Sequence, residues 1–184
     1  EENGSIDNVR VNYKPHVRRI RDIIQAVDGF QDRRILLVEC RELRNPDLNR
    51  SIRKHTGSHP DIIEEIVNHE RFSPKIEYVA EWIKRQALDG YHRLAVVYVC
   101  TAARHLSEAM RKLTVEALRK IGIPTRTSSI MLSNRGSDMW SPRGIATCYE
   151  RPETCRKCHL PNDADRKFVA GVVTTASETF NDIL

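Results

Sequence analysis

Two apolar runs of strand length, "RRILLVECREL" at 33–43 and "YHRLAVVYVC" at 91–100, are separated by residues whose apolar positions recur with a helical period. Ile62, Ile63, Ile66 and Val67 mark a helix over 60–70, and Ile76, Val79, Ile83 and Ala87 mark another over 74–88, with Gly90 as its stop. A third helix is expected over 104–121, where Leu106, Met110, Leu113, Ala117 and Ile121 share one side and Gly122 and Pro124 follow. Val17, Ile20, Ile23, Ile24 and Val27 predict a further helix over 15–28, and "TRTSSIML" at 125–132 reads as a strand. The run at 91–100 is apolar enough to be covered on both faces. Strands that alternate with helices pair in parallel through crossovers. The expectation is therefore an α/β fold, a three-layer sheet of mainly parallel strands with helices on both faces.

In such sheets ligands bind beyond the carboxyl ends of the strands. Two strand ends carry polar residues here, Arg41 after the first run and Thr101 to Ser107 after the second. From Asn134 no clear periodicity appears before Phe168, so the chain divides into an α/β domain at 1–133 and an irregular C-terminal appendage at 134–184.

Charge says which kind of ligand to expect. The appendage balances seven basic against seven acidic groups, so all of the net charge of +5 lies before it and favours an anionic partner. Forty percent hydrophobic and 30% charged residues describe a soluble globular chain, and no apolar run approaches the ~18 residues needed to span a bilayer. Five cysteines are an odd number, and Cys40 and Cys100 sit inside the apolar runs, so a disulfide framework is not expected and an intracellular, cytoplasmic setting fits. The sequence opens at Glu1 without a signal-type segment, which fits a piece of a longer protein.

The junction "VVYVCTAARHLSEAM" at 96–110 passes from strand to helix with Cys100, Thr101, Arg104, His105 and Ser107 crowded together. A cysteine there would have its thiolate stabilised by the helix N-terminus. Cysteine phosphatases, however, place an arginine six positions after the nucleophile, and Leu106 stands at that position. The other chemistry is an anion cradle, because free N–H groups and the positive end of the helix dipole face a ligand, with Thr101, His105 and Ser107 as further donors. No Walker-type glycine and lysine pattern is present. Read purely structurally, Thr101 caps the helix and His105 is a satisfied polar residue.

"VECRELRNP" at 38–46, "IRKHTG" at 52–57 and "VCTAARHLS" at 99–107, in that order, resemble the C-terminal domain of the RapZ family over roughly residues 33–123. The resemblance implies a fold related to part of phosphofructokinase, assembly into oligomers, and binding of an amino-sugar phosphate and of small regulatory RNA. It also places Glu39, Arg41, Asn45, Thr56, Gly57, Thr101, Arg104, His105 and Ser107 at the ligand site. Ala102 and Ala103 stand where the family has paired glycines, and Leu106 where it has a basic residue. The family's P-loop partner domain is not part of this sequence.

Two other constellations carry chemistry. Cys148, Cys155, Cys158 and His159 fall within twelve residues, and soft ligands at such spacing suit a tetrahedral zinc ion. The Cys-x-x-Cys-His run is also the signature of c-type haem attachment, and unligated thiols are a further reading. The basic loop with Arg44, Arg50, Arg53 and Lys54 has the charge to track an RNA backbone, although no aromatic side chains are interleaved for base stacking. Trp82 is expected in the core, and Trp140 as an anchor for the appendage.

The sequence thus reads as a non-catalytic domain binding a small phosphorylated or anionic, sugar-phosphate-like ligand and also RNA, with no membrane role. The alternatives are an enzyme acting on a phosphorylated substrate through Cys100 or His105, and a degenerate interaction module in a larger assembly.

Overall fold

The structure, a computed structural model, describes residues 33–43, 52, 55–100, 105–127, 155–159 and 161–184, leaving out the side chains of Arg156 and His159. The first apolar run forms β1 (Arg34–Glu39) and the second β2 (Leu94–Val99). They pair in parallel, with Arg34 opposite Leu94 and Glu39 opposite Val99. The amide of Cys40 continues the ladder by donating to the carbonyl of Val99 at 2.8 Å. Both strands therefore end at the same edge. Parallel neighbours need a crossover connection, and here it contains α1 (Pro60–Val67) and α2 (Phe72–Leu88).

These two strands are the whole sheet among the described residues. Thr125, Arg126 and Thr127 are not in a strand, and the rest of the segment expected to add one lies outside the described residues, as does the helix expected at 15–28. Leu36 and Val38 of β1 are buried, with Val96 and Tyr98 of β2 packed against the same core. On the other face Ala95 and Val99 are buried as well. The hydroxyl of Tyr98 meets that of Thr114 at 2.5 Å, tying β2 to α3 (Leu106–Lys120).

Helix ends follow local chemistry. Pro60 opens α1, where a missing N–H costs nothing, and Nδ1 of His59 accepts from the amide of Asp61 at 3.2 Å. Asp61 Oδ1 is also 3.8 Å from that nitrogen, but an acceptor nitrogen carries no proton. Burial pushes the His59 pKa down, so the neutral, capping form is the one that fits. Both α2 and α3 end in Schellman motifs around glycines with positive φ, 82° at Gly90 and 83° at Gly122. The amide of Tyr91 reaches the carbonyl of Gln86, and that of Ile123 reaches Leu118.

The irregular appendage expected after residue 134 is corrected at its far end. Residues Asp163–Ile183 form α5, a helix of 21 residues, preceded by the short α4 (Arg156–His159). Asn162 caps α5 by accepting from the amide of Asp165 at 2.8 Å, as side-chain oxygens do at helix starts. Helix α5 packs on α3, α2 and α1. Its Phe180 is fully buried, and Ala176 and Phe180 belong to the same core as Ile62, Val79, Met110 and Leu113. No helix among the described residues is long and apolar enough to cross a membrane.

Candidate functional site

Just past β1 the chain turns, with the amide of Leu43 donating to the carbonyl of Cys40 at 3.1 Å. The turn folds Arg41 back on Glu39. The Arg41 amide donates to Glu39 Oε1 at 2.9 Å, and its guanidinium lies 2.5 Å from Oε2. Hydrogen bonding to Glu39 raises the Arg41 pKa still further, so this group is a permanent cation. It is a third exposed, and a planar guanidinium fork is the geometry that recognises carboxylate and phosphate oxygens.

Past β2 the chain reaches Cys100. Its Sγ is 3.2 Å from Oγ of Ser107, in the first turn of α3. The two strand ends and the start of α3 thus meet. The amides of Leu106, Ser107 and Glu108 have no acceptor within the helix, and the dipole adds positive character there. Glu108 is a buried carboxylate in that turn, but Arg111 pairs with it through both Nε and Nη2. The pair keeps that carboxylate from opposing an anion.

The Thr56–Gly57 loop docks onto this turn. A Cβ on Gly57 would lie 2.3 Å from the carbonyl oxygen of His105 and 2.4 Å from the amide nitrogen of Ala109. Only glycine permits backbone to approach backbone so closely. His105 secures the contact from the other side. Its Nε2 lies 2.8 Å from the carbonyl oxygen of His55, and since a carbonyl only accepts, that nitrogen carries the hydrogen. Thr56 closes the loop by accepting from the amide of Ser58 at 3.3 Å.

Of the sequence-predicted ligand residues, Glu39, Arg41, Thr56, Gly57, His105 and Ser107 are described and lie on these three segments. Asn45, Thr101 and Arg104 lie outside the described residues, as do Arg44, Arg50, Arg53 and Lys54 of the basic loop. Cys40 is fully buried, and burial pushes its thiol pKa up, which makes it a core thiol. Trp82 packs on the core as expected. A concavity among Glu64, Glu65, Asn68, His69 and Glu70 carries three carboxylates, the wrong sign for an anion.

The metal expectation meets a different partner. Cys155 and Cys158 come together, but beside His55 of the Thr-Gly loop, with Sγ atoms 3.3 and 3.7 Å from its Nδ1. Cys148 and the His159 side chain lie outside the described residues. Sequence reasoning missed His55 because it lies a hundred positions from Cys155. Its only local signal is that it adjoins Thr56 and Gly57.

Compared with known proteins, residues 27–131 match the family described as the RapZ C-terminal domain. This match takes in β1 through α3 and stops before α4 and α5. A nucleotide-binding protein of Cereibacter sphaeroides is 27% identical over 106 residues, covering 55% of this chain and 35% of the relative. The chain therefore matches about a third of that relative's length. No solved structure matches.

Proposed function

Since this chain belongs to the RapZ C-terminal domain family, we propose that it is a non-catalytic binding domain for a small phosphorylated ligand, sugar-phosphate-like, at the carboxyl edge of β1 and β2. The observation that carries this reading is the docking of Gly57 against His105 and Ala109. It brings the Thr-Gly loop beside the start of α3, where Ser107 also contacts Cys100 at the end of β2. Arg41 supplies the charge, Thr56 and Ser107 hydroxyls, and the first turn of α3 its amides. His105 acts as the strut that holds the loop, while Glu39 orients Arg41. Asn45, Thr101 and Arg104 join the site on the strength of the family resemblance. The name of the C. sphaeroides relative, a nucleotide-binding protein, supports a phosphate-bearing ligand. Cys40, a fully buried thiol in no disulfide, fits a cytoplasmic setting.

Calorimetric titration with inorganic phosphate and with an amino-sugar phosphate tests the reading. Arg41→Ala should weaken binding by about 1–3 kcal/mol, the range of a hydrogen bond to a charged group, without unfolding the chain. Unchanged affinity in that variant sinks it. RNA is the second ligand in this proposal, favoured by the net positive charge confined to residues before 134.

A further inference from the structure

We propose that Nδ1 of His55 and the thiolates of Cys155 and Cys158 form a zinc site that fastens the segment before α5 to the Thr-Gly loop. The three ligand atoms lie within 4.8 Å of one another. Across a tetrahedral ion with Zn–S of ~2.3 Å and Zn–N of ~2.05 Å, nitrogen and sulfur should stand roughly 3.6 Å apart. The observed separations, 3.3 and 3.7 Å, bracket that value.

Hydrogen bonding alone accounts poorly for this convergence. Depending on its tautomer, Nδ1 of a neutral imidazole offers either one lone pair or one N–H, so it cannot make good hydrogen bonds to both sulfurs at once. A cation shared by all three groups takes one lone pair from each of them at once. Two thiolates and an imidazole select zinc over magnesium or calcium, which prefer oxygen ligands. Cys158 is buried and Cys155 half-buried, so the sulfurs are shielded but reachable.

The surrounding structure is arranged to receive the ion. Helix α4 has four residues, too few to persist unaided, yet it is held on α1 by an ion pair between Lys157 and Asp61 at 3.3 Å. The ring of His59 lies 4.1 Å from that of His55 and supports it. Because the His55 carbonyl receives the hydrogen bond from His105, the ion would brace the loop that positions Thr56 and Gly57. The site stands apart from the anion reading, since it uses none of the groups assigned to the phosphate.

Its test is metal analysis of the full chain, purified reduced, without a histidine tag, from zinc-supplemented medium. About one zinc per chain is expected. Replacement by cobalt(II) should give thiolate-to-metal charge-transfer absorption and the visible bands of a tetrahedral site. His55→Gln, checked for folding by circular dichroism, should lower zinc affinity by at least about tenfold, and Cys155→Ser likewise. Less than about a tenth of a zinc per chain, a cobalt spectrum without the thiolate band, a Cys155–Cys158 disulfide as the native state, or full zinc affinity in His55→Gln would each overturn it. If His55→Gln does not fold, the zinc content and cobalt spectrum of the unaltered chain decide alone.

Discussion

Gly57 and His105 are in backbone-to-backbone contact: a methyl group on Gly57 would sit 2.3 Å from the His105 carbonyl oxygen. The neighbouring atoms belong to the first helical turn and cannot rotate away as a side-chain tip would. Gly57→Ala should therefore cost about 1–3 kcal/mol, the usual range for overpacking. At Gly171, in the interior of α5, a Cβ meets nothing within 4 Å. There the same substitution should stabilise by about 0.5–1 kcal/mol. Urea denaturation of both variants checks the pair, and a Gly57→Ala variant as stable as the unaltered chain or more so would count against the docked loop.

Phe180 tests whether the C-terminal helix is structural. It is fully buried in the core shared with α1, α2 and α3, so Phe180→Ala should lower stability by about 3–5 kcal/mol. A loss well under 1 kcal/mol, read from the same denaturation curves, would mean that α5 is not packed there.

The parts that were legible in the sequence, and those that were not, differ for physical reasons. β1 and β2 were visible because strands screened on both faces read as continuous apolar runs, and the stops at Gly90 and Gly122 because positive φ selects glycine. Helix α5 does carry a periodic stripe, through Val169, Val172, Val173, Ala176 and Phe180, and an Asn162 cap. That stripe is short and was masked by the cysteine-rich stretch before it. The closeness of Gly57 to His105 and of His55 to Cys155 is tertiary, and spacing along the chain does not encode it.

Glu42 gives a pH dependence. Hydrogen bonds first from Lys75, at 3.2 Å, and then from Arg71 hold its carboxyl below the ordinary value of 4.5. A lowered folded-state pKa contributes stability above the unfolded value and loses it as pH falls through the folded one. Glu42 is half exposed, so Glu42→Gln should cost less than about 1 kcal/mol at neutral pH. The gap to the unaltered protein should close as the pH drops below 4.5, as measured by denaturation across a pH series.

RNA binding makes a separate prediction. Replacing Arg50, Arg53 and Lys54 by Ala removes up to three phosphate contacts, so the slope of log K against log salt should shrink by about 2 for single strands, at roughly 0.7 per phosphate. Titrations at several salt concentrations read this directly. An unaltered slope would reduce the loop to a solvated charged face.

The phosphate site itself is tested most directly by following backbone amide resonances while inorganic phosphate, then an amino-sugar phosphate, is added. Saturable shifts should concentrate at Arg41, at Thr56 and Gly57, and at Leu106, Ser107 and Glu108, and should vanish in Arg41→Ala while that variant keeps its fold. Shifts absent from these residues, or equally strong in Arg41→Ala, would contradict a phosphate site at the carboxyl edge of the two strands.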